Sequence, residues 1–308
     1  MHVDRHDPVP SRSRTKNSKE NQESSSFFVV LKVQLSTTYF IFFQRAVSET
    51  SPEQEISSKI SNGSDPKEWF VQKFESFGLD VQTQDFQAKT YDNQLWNLTN
   101  VIASYNPSAK KRVLLAAHWD TRRIADKDTE RIDEPIDGAN DGGSGVAVLL
   151  EIARIISISE EKPEIGIDFI LFDGEDDGEP EHTTFSNNSQ VWWCLGSQYW
   201  SKNPHEKGYS AYYGILVDLV GAKGARFYKE GNSMRYAKNI VNKVWNFASE
   251  LGYSDFFIME NAPEIIDDHV FVNRDAGIPM IDIIEFSPRA GFGHYHHTHM
   301  DNMEIIDK

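Results

Sequence analysis

Apolar residues follow two alternating rhythms from residue 64 onward. Asp65-Pro66 reads as an N-cap followed by proline at the first helical position. Trp69, Phe70, Phe74 and Phe77 then share one helical face, and Gly78 ends the helix. Strand-like runs follow at VQTQDF, LTNVIAS and RVLLAAH, the last ending on His118. From Gly145 to Ile158, Val146, Leu149, Leu150, Ala153 and Ile156 recur at helical spacing. IGIDFILFD is apolar enough for a central buried strand, and YYGILVDLV and IPMIDIIEF supply two more. Between these two, a long helix is expected from Ser233, its N-cap, to Leu251, with Gly252 after it. Strands alternating with helices predict an α/β fold, a three-layer α/β/α sandwich with a mixed, mainly parallel central sheet. In such sheets ligands bind beyond the carboxyl ends of the strands.

Residues 1–63 do not share this pattern. The stretch through Ser26 is polar and is expected to be disordered. An apolar run at 27–43 is interrupted by Lys32 and Gln34, so it falls short of the about 20 apolar residues of a spanning helix. Basic residues precede it and Ala46 and Ser48 follow, which reads as a degenerate export signal. A secreted or periplasmic location is therefore expected, and a cytoplasmic one if the segment is a faulty start. Residues 64–308 are expected to form one domain.

Composition changes the picture in two places. A net charge of -16 argues against a nucleic-acid partner and weakly favours a cationic substrate end. The single cysteine, Cys194, excludes an internal disulfide and a cysteine-built zinc site, and beside Trp192 and Trp193 it reads as packing.

The chemistry sits where apolar runs stop. His118, Asp141, Glu175, Asp176, Asp218 and His297 all lie at such ends or at glycine-rich turns. Any one of them has a structural reading: Asp141 as a helix cap, Asp218 as a turn cap, the histidines as a surface cluster. Together they point to one metal site. Zinc takes neutral imidazole and carboxylate, so Asp141, Asp176 and His297 form a plausible set. Glu175, beside one of them, is placed as a general base. Asp218 and His118 are candidates for a second metal or for hydrogen-bond partners of the ligands. GANDGGSG lacks the Lys-Ser/Thr of a phosphate loop and does not directly follow a strand as a dinucleotide fingerprint should. No His-Glu-x-x-His or Gly-x-Ser-x-Gly occurs.

These stretches, in this order, resemble the zinc aminopeptidase and glutaminyl cyclase superfamily over residues 65–308. The match is strongest to the bacterial-type glutaminyl-peptide cyclotransferases. It is carried by AHWDTR, GANDGGSGVAVLLEIAR, LFDGEDDGEP, WWCLGSQYW, LVDLVGAKGA, DDHVFVNRDAGIP and HTHMDN. The resemblance implies one zinc on Asp141, Asp176 and His297, with Glu175 as general acid/base. It implies Asp218 and Asp267 as a carboxylate network around Glu175, and Trp192 or Trp193 in the substrate pocket. It implies no organic cofactor. The substrate would be a peptide beginning with glutamine, cyclised to pyroglutamate with loss of ammonia. His297 is chosen over His296 and His299 because Thr298 and Asp301-Asn302 match the family's spacing. The pair Glu175-Asp176 stands where many members of the superfamily have Glu-Glu. The family's last helix is expected to be missing after Lys308.

Two other readings stand beside this one. The same residues would serve a two-zinc aminopeptidase, with Glu175 activating a water. A truncated, non-catalytic binding protein is the third.

Overall fold

The structure, a computed structural model, describes residues 65–180, 183 and 192–307. The expected disordered or targeting segment at 1–63 lies outside the described residues. Asp65 caps helix α1 (Pro66–Ser76) as expected, its carboxylate accepting from Lys67 N at 3.0 Å. Strands β1 (Asp80–Lys89), β2 (Leu95–Tyr105) and β3 (Arg112–His118) follow, then helix α2 (Gly143–Ile158) and strand β4 (Gly166–Phe172). Helix α3 (Leu195–Lys202), strands β5 (Gly214–Asp218) and β6 (Phe227–Lys229) and helix α4 (Gly231–Glu250) come next. Strand β7 (Phe257–Asn261), helix α5 (Asp268–Phe271), a π-helical turn (Val272–Ala276) and strand β8 (Met280–Ile284) complete the order.

Six strands form the main sheet in the order β1-β2-β4-β3-β5-β8. β4, β3, β5 and β8 run parallel, whereas β1 and β2 form an antiparallel hairpin whose second strand pairs antiparallel with β4. The alternation of side chains along a strand makes two separate cores. Val113, Leu115 and Ala117 of β3 face α1, α2 and α4, while Leu114 and Ala116 face Trp200 of α3 and Val272 after α5. Helices therefore cover both faces, and the layering is α/β/α. Among the described residues no helix follows β8; the closing segment reaches a single bridge between Ala222 and Ile306.

Two local expectations differ from the structure. Helix α4 is capped by Glu230, whose carboxylate accepts from Asn232 N and Ser233 N, and not by Ser233. Ser233 is instead buried against the sheet, where its hydroxyl accepts from Asp282 N at 2.9 Å. The small β6-β7 sheet leaves no pattern in the sequence: three- and five-residue strands are too short to show a period, and aromatic contacts such as Trp245 on Phe257 support them.

At the amino end of the parallel strands, away from the site, Arg112 grips Asp168. Its Nε and Nη2 lie 2.6 and 2.5 Å from the two carboxylate oxygens, and Ser104 and Tyr209 hydroxyls donate to the same oxygens. Asp168 is fully buried, so removing the guanidinium strands a charge. Arg112→Met is expected to destabilise the fold by about 3–5 kcal/mol, with Arg112→Met/Asp168→Leu recovering most of it. Urea unfolding of the three proteins measures this. A double variant no more stable than the single one would contradict it.

Candidate active site

His118 ends β3, Asp218 ends β5, and the loop after β4 carries Glu175 and Asp176, so all four groups emerge at the carboxyl edge of the sheet. Backbone clamps set them. Asp120 Oδ1 accepts from Glu175 N and its Oδ2 from Asp176 N, both at 3.0 Å. Asp301 does the same for the other carboxylate, accepting from Asn140 N at 2.7 Å and Asp141 N at 2.9 Å. Gly142, at φ 83°, lets the turn before α2 press against β3: a Cβ there would lie 2.6 Å from the Asp120 carbonyl. Cys194, Leu219 and His297, all close to the site, also have left-handed backbone, which non-glycine residues adopt at a cost.

His297 Nε2 lies 3.0 Å from Asp176 Oδ1 and 3.7 Å from Asp141 Oδ2. His296 stacks on His297 at 3.7 Å with its Nε2 3.8 Å from Asp141, but Lys127 Nζ donates to its Nδ1 at 2.8 Å. His299 turns away, its ring against the Arg131 carbonyl. The structure thus brings Asp141, Asp176 and His297 together and adds His296 beside them. His118 is fully buried, with Nε2 3.1 Å from Asp218 and 3.2 Å from Asp141. His118 does not line the cleft, whereas Asp218 does.

That cleft is about 320 Å³, within the range of small-molecule pockets. Glu175, Asp218 and Asp267 form part of its wall, with Trp193, Phe292 and Ile284 as its apolar side. Of the two tryptophans singled out from the sequence, Trp193 lines the cleft and Trp192 does not. The Trp193 ring stacks on His297 at 5.9 Å, the Arg122 guanidinium lies 4.9 Å from its centre, and Gly178 leaves the space that it fills.

Burial dominates the electrostatics. It pushes Glu175 well above the carboxylate range, helped by Asp267 and Asp176 and opposed by His118. It pushes Asp176 up to about 7 and Asp267 up to about 6, the latter with Asp218 adding to it. Burial also lowers His297 to about 3, which keeps its ring neutral. Burial opposes a charge on His118, yet Asp218, Asp120 and Asp141 outweigh it and raise that ring well above its ordinary value.

The donor set fits a dication. Asp141 Oδ2 and Asp176 Oδ2 are buried without a hydrogen-bond partner, beside a neutral imidazole. Orphaned carboxyl oxygens beside a neutral imidazole are what a zinc-like ion would satisfy, and ligand atoms of Asp141, His296 and His297 lie within 4.8 Å of one another.

Zinc-free protein is accordingly expected to lose stability as pH rises from 5 to 8. Asp176 and Asp301 reach about 7 and Asp173 about 8, against an ordinary 3.8. The folded chain therefore binds more protons than the unfolded one across that window, so raising pH weakens it. Zinc replaces protons on its ligands and should raise Tm more at pH 8 than at pH 5.5. Calorimetry with and without zinc tests this; equal shifts at both pH values would refute it.

Asp120 and Asp301 carry no clamp signal in the sequence, although they lie inside AHWDTR and HTHMDN. Arg122, which donates to the Asp176 and Gly178 carbonyls at 2.8 and 3.2 Å, left no sequence signal beyond its place in AHWDTR.

A model of peptidase family M28 matches residues 100–308. The crystal structure of Bacteroides thetaiotaomicron glutaminyl cyclase bound to N-acetylhistamine is 47% identical, with a TM-score of 0.76, over 79% of this chain and 82% of that one. A leucine aminopeptidase precursor from the same bacterium is 46% identical, with a TM-score of 0.74, at the same coverage. The glutaminyl-peptide cyclotransferase of Bos taurus is 27% identical over 69% of this chain. The chain spans 62% of that curated relative's length, a little under two thirds.

Proposed function

The chain belongs to peptidase family M28, and from that membership we propose that it is a glutaminyl-peptide cyclotransferase using one zinc ion. The observation that carries this reading is Glu175, a buried carboxyl on the wall of a small cleft, beside but outside the set Asp141, Asp176 and His297. The likeness to bacterial glutaminyl cyclase directs which chemistry that arrangement serves.

Asp141, Asp176 and His297 would hold the ion. Bound there, zinc supplies Lewis-acid polarisation of the substrate's side-chain amide. The cleft's six acidic groups, Asp126, Asp141, Glu175, Asp176, Asp218 and Asp267, draw in a cationic group such as a peptide's amino terminus. That ammonium releases one proton to solvent to become the nucleophilic amine; Glu175, as the carboxylate, takes a second proton from it as it attacks the glutamine δ-carbon, and returns that proton to the departing nitrogen, which leaves as ammonia. Asp218 and Asp267 flank Glu175, and Trp193 packs against the substrate. The nucleophile is the substrate's own amine, so no activated water is required.

His118 has a role in the one-ion reading. It is buried behind Asp141 and Asp218 and turns Nε2 to both. In this reading it orients ligands.

A second reading has its own support: polar atoms of His118, Asp141 and Asp218 lie within 4.8 Å of one another, close enough for a second ion, as in an aminopeptidase. Incubating the zinc-loaded chain with a glutamine-initiated dipeptide separates the two. A product lighter by one ammonia, with its peptide bond intact and one zinc per chain, supports the cyclase. Release of free glutamine with two metals per chain would support the aminopeptidase. Neither product would leave the non-catalytic reading.

A further inference from the structure

Cys194 is the chain's only cysteine and is completely buried. Its backbone is left-handed, φ 59° and ψ 39°, at the N-cap of α3. Glycine or asparagine suits that conformation better, so the strain at a cysteine needs a reason in its side chain. The contacts supply one. Cys194 N donates to the Glu175 carbonyl at 2.9 Å, and Cys194 Sγ–H donates to Glu175 Oε1 at 3.2 Å. The same residue therefore ties Glu175 at both the main chain and the carboxylate.

The rest of the joint is rigid. Leu195 N donates to the Gly174 carbonyl at 2.9 Å. A Cβ on Gly196 would lie 2.5 Å from Asn100 Oδ1 and 2.6 Å from the Asp173 carbonyl, so the start of α3 is pressed onto the end of β4. Asp120 accepts from Glu175 N at 3.0 Å. Among the described residues Cys194 gives the carboxylate of Glu175 its hydrogen-bond donor, on Oε1, and Oε2 has none. The thiol is a dependable donor: burial, and then the Glu175 charge, push it well above the usual thiol value, so it stays protonated.

We propose that Cys194 is a positioning residue for the cyclisation, holding Oε1 of Glu175 so that Oε2 faces the substrate amine. This rests on Glu175 being the proton carrier. It differs from the packing role read from the sequence, where two neighbouring tryptophans hid a contact made across 19 residues.

Cys194→Gly and Cys194→Ser distinguish positioning from packing. Glycine removes the thiol and relieves the left-handed strain. It should keep or raise Tm, leave zinc content and KM within about twofold, and lower kcat roughly 10- to 100-fold through misplacement of the carboxylate. Serine keeps a donor and should retain kcat within about threefold of the parent. Packing alone predicts the reverse for glycine: a lower Tm with kcat unchanged. Glycine with parental kcat overturns the inference, as does serine as impaired as glycine. A parent chain that forms no pyroglutamate overturns the underlying reading of the site, and the inference with it.

Discussion

Glu175→Gln is expected to slow cyclisation roughly 10³-fold, about 4 kcal/mol in the barrier, with zinc still bound. The glutamine amide fills the same volume and can occupy the same place on the cleft wall, but it cannot accept a proton from the attacking amine. Because Glu175 is not one of the proposed ligands Asp141, Asp176 and His297, metal content should stay that of the parent. KM should change little, since the proton transfer belongs to the transition state and not to binding. Pyroglutamate formation followed by mass spectrometry, with metal analysis on the same sample, measures both. A variant within tenfold of the parent would remove Glu175 from the chemistry.

Asp141→Asn should weaken zinc binding by roughly 10²- to 10³-fold, because a charged ligand becomes a neutral one. Activity at limiting zinc should fall with it and return in part at high zinc. The fold should not suffer. Burial, with the nearby Asp176 charge, raises Asp141 above its ordinary value, so a neutral side chain relieves the zinc-free protein. Zinc-free Asp141→Asn is expected to melt at or above the zinc-free parent, while the zinc-induced rise in Tm nearly disappears. A variant that keeps full zinc occupancy in the presence of a competing chelator would show that the ion sits elsewhere.

Much of this protein could be read from its sequence, because the signals involved are local. The apolar period of β3, β4, β5 and β8 marks buried strands, and the spacing in α1 and α2 marks one-sided helices. His118, Glu175 and Asp218 could be placed at one edge because each closes such a run and parallel strands end together. The bond from Asp65 to the first turn of α1 needs only neighbouring residues.

Other features needed the chain to come together. Asp120 reaches 55 residues to Glu175 N, and Asp301 reaches 161 residues to Asn140 N. Lys127 occupies His296 and leaves His297 facing both aspartates, a distinction that adjacent histidines in a motif do not carry. The space above Gly178 admits Trp193 to the cleft wall and not Trp192. The identity and order of the candidate metal-binding groups were thus determined by the sequence itself, since strand ends and turns are built from near neighbours. Their orientation, and the bond from Cys194 to Glu175, were decided by tertiary structure. A hydrogen bond of about 3 Å depends on two distant backbones being fixed, and only the packed sheet fixes them.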